Sequence, residues 1–271
     1  MTATATEIKK VADNPVHPKE APETHWETIL SVKEWNALYP GLLDGITAFA
    51  GMANVVMQLS HPGVGYGVKE SKVDSGNIFK RPFKRARTTF TYLAVALTGT
   101  REDKLSYRQA IGKAHAQVRS TSASPVKYSA FDSSLQLWVA GCIYWGMVDT
   151  YEKFYGPLPR DKKERLYILA QPLGTTLQVR ASMWPADLTA FEEFWETNLN
   201  KLKIDDTIRE YLTELVELQF LNPLLRYPLG SFHRFVTIGF LPQHLRNEMH
   251  FTWSDRQEKL FNAMLKTLAF G

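Results

Sequence analysis

SSLQLWVAGCIYWGMVDTYEKFY, residues 133–155, is the stretch that decides the fold class. Apolar residues recur in it at intervals of three and four without sustained alternation, which is the period of a helix and not of a strand. Asp132 stands where an N-cap belongs, and the run GPLP at 156–159 stops the pattern. Its most apolar part, Leu137–Val148, is far shorter than the about 20 residues that a membrane-spanning helix needs, so the segment reads as a core helix. The same period continues on both sides. It predicts helices over 42–60, 83–97, 103–119, 161–173, 186–199, 206–220, 231–240 and 254–268, and no convincing strand from Trp26 onward. HPG at 61–63 reads as a break, while Asp205 and Ser254 read as further N-caps. No linker rich in Gly, Ser or Pro divides the chain after residue 25, and no fixed-period repeat is found. The expectation is therefore one all-α domain over 25–271.

Bulk properties narrow what such a domain can do. Among 271 residues there is one cysteine, Cys142, so intramolecular disulfides are impossible and a reducing compartment is the default. Residues 1–24 are rich in Thr, Ala, Pro, Glu and Lys, so ordering them costs entropy that burial does not return, and a disordered tail is expected. They hold no basic patch followed by an apolar block, so a cytoplasmic protein with no secretory signal and no integral membrane segment is expected. The pI of about 9.0 reflects 32 basic against 28 acidic residues that mostly stand side by side, which argues against nucleic acid as a partner.

Standard enzyme signatures are missing. There is no Glu-x-x-His pair, no His-Glu-x-x-His and no Gly-x-Ser-x-Gly, and Gly63, Gly65 and Gly67 follow a helix instead of a strand. Of seven histidines, His115 lies four residues after Ile111 and three before Val118, on the apolar stripe of its predicted helix. Gly112, Ala114 and Ala116 keep its surroundings small, so a flat, bulky group can approach the backbone, which is the local shape a haem ligand needs. A buried histidine bonded to a carbonyl is the other reading of the same pattern. His61, before Pro62, reads as a helix-end residue. In KRPFKRARTT, residues 80–89, Arg85 and Thr89 are one turn apart on the face continued by Tyr92 and Leu93. A cation and a hydroxyl leading into an apolar face suit an anionic or oxygen-bearing group beside a greasy ligand, although a solvated helix start with weak phosphate affinity has the same composition.

Six blocks in order carry a resemblance: QLSHPGVGYGV (58–68), RARTTFTYLAVALTGT (85–100), HAQVR (115–119), YSAFDSSLQLWV (128–139), YEKFYGPL (151–158) and FLPQHLRNEMHFTWSDRQEKLF (240–261). Together they resemble the family of rubber oxygenase catalytic domains and the ER-bound oxygenase of mycophenolic acid biosynthesis, over roughly residues 40–268. The resemblance implies an all-α, globin-like fold with a haem b pocket between helices, and oxygenase activity on isoprenoid or other apolar carbon chains with dioxygen. It implies His115 as the proximal iron ligand, with Gly112 and Arg119 beside it among the cofactor-binding residues. Arg85 and Thr89 match the family's distal Arg and Thr, and Thr88 stands where its best-known member has a lysine that can ligate iron. A register shifted by one would select Lys84, Arg87 and Thr88 instead. Glu70 falls about where the rubber oxygenases carry a catalytic glutamate, and a carboxylate buried by apolar walls would serve as a base for an allylic proton. Many relatives read Trp-Val-His where this chain has Trp138, Val139 and Ala140. Phe90, Tyr92, Trp138 and Trp145 are candidates for substrate contact, with ordinary core packing the plainer use of each. Other haem chemistry, such as dehydrogenation, isomerisation or peroxygenation, and a non-catalytic carrier of an apolar molecule are the rival expectations.

Overall fold

The computed structural model describes residues 26, 29–43, 46–73 and 77–270. In chain order its α-helices are α1 (Val32–Leu38), α2 (Ile46–Phe49), α3 (Gly51–Leu59), α4 (Pro62–Lys69), α5 (Pro82–Thr98), α6 (Arg101–His115), α7 (Ser133–Tyr155), α8 (Arg160–Ala170), α9 (Pro172–Thr175), α10 (Leu188–Lys201), α11 (Asp206–Val216), α12 (Pro223–Phe240), α13 (Gln243–Glu248) and α14 (Asp255–Phe270). The fold is all-α. Among the described residues there is no strand, and Arg119 and Ser129 form an isolated antiparallel bridge.

Helix α7 is the axis of the molecule. Asp132 accepts the Ser134 N–H at 2.8 Å, and α7 ends at Gly156, whose φ of 92° is one that side-chain-bearing residues rarely adopt. Between these ends the helix is apolar on nearly every side, so it is stable only when surrounded, and α2, α3, α8, α9 and α14 pack around it. Trp138 and Trp145 both stack on Trp195 of α10, at centroid distances of 5.3 and 4.9 Å. At its other end Phe154 stacks on Phe240 of α12, which meets Phe261 of α14 edge-on at 5.0 Å. One buried cluster runs from Trp35 to Leu265.

Several boundaries depart from the sequence expectation, each for a local reason. HPG at 61–63 starts a helix as well as ending one: Pro62 occupies the first turn of α4, where its missing N–H costs nothing, and His61 Nδ1 accepts the Gly63 N–H at 3.2 Å. A Cβ at Gly65 would run into Leu59 O and the Ile208 side chain, so glycine is what lets α4 fold back on α3 beneath α11. The helix expected over 103–119 runs from 101 to 115. It begins at a capping box in which Thr100 Oγ1 accepts the Asp103 N–H at 3.1 Å and Asp103 Oδ2 accepts the Thr100 N–H at 2.9 Å. The helix expected from 231 begins at 223, because Pro223 sits at its first position and Pro228 is still early enough to be accommodated in the exposed half. The helix expected over 206–220 stops at Val216, ahead of Leu218, whose φ is 56°.

Candidate functional site

The short turn at Gly99 and Thr100 folds α5 and α6 into an antiparallel hairpin, and this sets the start of α5 beside the end of α6. Tyr107 O–H donates to Thr88 O at 2.8 Å across the hairpin, and the Tyr92 and Tyr107 rings lie 6.0 Å apart. His115 is the last residue of α6 and meets the edge of Phe131 at 6.3 Å. Its Nδ1 is buried and has no hydrogen-bond partner among the described residues. Burial, and then the positive charge of Arg85, push the imidazole down to about 4, so the ring is neutral across the physiological range.

Arg85 is turned inward from α5 toward His115, Tyr107 and Tyr211, while Lys84 and Arg87 are exposed. Among the described residues no carboxylate pairs with it, and burial pushes its guanidinium below the usual range. Burial raises Tyr211 to about 12, against the opposing pull of Arg85. Arg108 repeats the pattern: it is buried, nothing among the described residues pairs with it, and burial pushes it down. Lys104, also buried, donates to Gly99 O at 2.8 Å. Arg108 lies two turns before His115 on the same face of α6, so two buried guanidiniums, Arg85 and Arg108, stand without a carboxylate partner among the described residues. Sequence reading missed Arg108, Tyr107 and Tyr211. For Arg108 the clue was its spacing from His115, whereas the tyrosines are brought in only by tertiary folding.

Other expected residues stand as follows. Thr88 and Thr89 donate their hydroxyl protons to the carbonyls of Lys84 and Arg85 at 2.9 and 3.1 Å, so each offers the site a lone pair before it offers a proton. Glu70 is at the C-terminal end of α4 and is exposed, which corrects the expectation of a carboxylate between apolar walls. Its Oε2 accepts both Ser124 O–H and Tyr128 O–H at 2.6 Å. Lys69, its neighbour, lies 6.0 Å from the Tyr211 ring that also faces Arg85, so the end of α4 borders the same region. Gly112 is buried, Ala116 is exposed beyond the helix end, and Arg119 is four residues past α6 on the surface. Trp138 is committed to the core, its Nε1–H donating to Gln58 O at 3.2 Å, and Tyr92 O–H donates to Leu173 O. His61, half-buried and pushed down by burial against the pull of Asp132, caps α4.

Over residues 40–270 the chain matches the family described as ER-bound oxygenase mpaB/B'/rubber oxygenase, catalytic domain. The chain belongs to this family. Two similar proteins, both described as uncharacterized, come from Mycobacterium bovis and Mycobacterium tuberculosis; each is 52% identical over 216 residues, covering 80% of this chain and 85% of the relative. No solved structure matches. The mpaB/rubber oxygenase match spans α2 to α14, so the α5–α6 hairpin, the end of α4 and Tyr211 all fall inside the oxygenase catalytic domain. Although the family description includes ER-bound members, no helix among the described residues is long and apolar enough to cross a membrane.

Proposed function

We propose that this protein is a haem b oxygenase acting on an apolar, isoprenoid-like or secondary-metabolite substrate, with His115 as the axial iron ligand. The observation that carries the reading is the buried, unpartnered Nδ1 of His115 beside the uncompensated cation of Arg85. A buried nitrogen without a partner is costly, and a ring kept neutral holds its lone pair free for a metal. Among the described residues no group of three or more His, Cys, Asp or Glu side chains converges, so an iron held by His115 would take its other donors from a cofactor. A porphyrin would supply those donors. The group therefore fits the residues present: His115 would hold it, buried Gly112 one turn earlier leaves the helix face low, and Arg85 and Arg108 would offset its carboxylates.

When bound, haem supplies the electronic chemistry toward dioxygen, and the protein supplies position and field. Arg85 attracts negative charge at the start of α5, where low polarity strengthens its pull. Thr89 and Thr88 would accept hydrogen bonds there, because their own protons are held by the backbone. Glu70 would take a proton through Oε1 while Ser124 and Tyr128 fix Oε2. The test is hemin titration of the full-length protein followed by absorption spectroscopy. One hemin per chain with a Soret band supports the proposal; a protein that takes up none overturns it, and leaves a carrier of apolar molecules.

A further inference from the structure

We infer that the end of the molecule where α5 and α12 begin is a docking surface for an anionic lipid bilayer. The two helix starts are tied together just outside their first turns: Phe79 meets Phe220 edge-on at 6.1 Å and Tyr211 at 5.4 Å. From this common base three large apolar side chains project into solvent, Phe83 at 84%, Leu224 at 84% and Tyr227 at 74% exposure. Scattered exposed apolar residues need no explanation, but three so fully exposed in the first turns of two helices that Phe79 and Phe220 tie together stand at one end of the molecule. Arg81, Lys84 and Arg87 are exposed beside Phe83, and Arg226 stands over the Tyr227 ring at 5.4 Å. No Asp or Glu occurs between residues 77 and 101 or between 218 and 247, so nothing in either segment neutralises these cations.

Apolar tips flanked by uncompensated Arg and Lys are the two attractions that together hold a peripheral protein on a bilayer: side chains enter the interface while the cations meet lipid phosphates. A second copy of this chain fits less well, because a two-fold contact through the patch would set its arginines against themselves. A nucleic acid would use the cations but not the aliphatic tips. The patch also shares the first turns of α5 with inward-facing Arg85, so a bilayer held here adjoins the candidate site.

The experiment is vesicle co-sedimentation of the full-length protein with phosphatidylcholine alone and with about one third phosphatidylserine. Binding to the anionic vesicles is expected to be about tenfold or more tighter and weakened by salt. Phe83→Ser/Leu224→Ser/Tyr227→Ser should abolish binding to both, and Arg81→Glu/Arg226→Glu should remove the anionic preference, with melting temperatures unchanged because all five side chains lie at the surface patch. The inference is overturned if the wild type stays in the supernatant with both vesicles, or if the triple variant pellets as well as the wild type. It is equally overturned if light scattering shows a vesicle-indifferent dimer that the triple variant dissociates, since the patch is then a subunit interface.

Discussion

A single nitrogen, His115 Nδ1, separates a haem ligand from a core histidine, because a structural histidine of this burial would be expected to have a carbonyl or hydroxyl partner and this one has none. His115→Ala should lose nearly all bound hemin while keeping its far-ultraviolet circular dichroism, and His61→Ala, which removes a helix cap, should keep its hemin. The reverse result moves the ligand to the start of α4. Protonation gives a second check. The folded ring titrates at about 4 and a free one near 6.5, so the unfolded chain takes up its proton first as pH falls. In the hemin-free protein, stability present above pH 6.5 should therefore drain away between about 6.5 and 4, and urea titrations of hemin-free His115→Gln should show a shallower decline over that window than the hemin-free wild type. His61 and His233 are also pushed down by burial, so the informative quantity is the difference between variant and wild type. At this scale helical spacing in the sequence brought His115 and Arg85 forward as candidates, and the structure sets the two near each other. The sequence did not disclose the exposure of Glu70 or the commitment of Thr88 and Thr89 to their own helix. Those depend on where α4 ends and on which rotamer the hydroxyls take.

The hairpin of α5 and α6 is the element that brings Arg85 to His115, and its geometry depends on the Thr100–Asp103 capping box in an otherwise short connection. Thr100→Ala removes one side of the box, so it should cost about 1 kcal/mol in chemical denaturation and speed the release of hemin. Release unchanged despite the lost stability would mean that the turn does not position the site. In α4 the relevant contact is backbone: Gly65→Ala drives a methyl group toward Leu59 O, which cannot swing away as a side chain can, so a loss of roughly 1–3 kcal/mol is expected. Both cases show why some elements were legible and others were not. A long apolar helix such as α7 announces itself by period and by Asp132, whereas α4, with three glycines and a leading proline, has poor intrinsic propensity and is held by what packs on it. The early start of α12 was hidden for a related reason: Pro228 reads as a breaker, yet it falls in the exposed half of the helix, where a freed carbonyl can meet water.

For the molecule as a whole, the question is where the cooperative unit begins. The expected disordered tail, residues 1–24, lies outside the described residues, but Trp26 is 1% exposed and donates Nε1–H to Thr175 Oγ1 at 3.1 Å, with Arg101 5.9 Å from its ring. Thr175 ends α9, which packs on both α7 and α5, and Tyr92 O–H of α5 donates to Leu173 O of the same short helix. Trp26 thus acts on the brace between the central helix and the hairpin that carries Arg85, far from its own position in sequence. Deleting residues 1–24 should leave the denaturation midpoint unchanged, because too little apolar surface is lost to matter. Trp26→Ala, by contrast, empties an indole-sized volume, strips the Thr175 hydroxyl of its donor and should cost about 3–5 kcal/mol. If the loss reaches the hairpin as the packing requires, the same variant should also protect the α5 backbone less against hydrogen exchange. A variant as stable as the wild type would place the start of the folded unit beyond Trp26, at the capped first turn of α1.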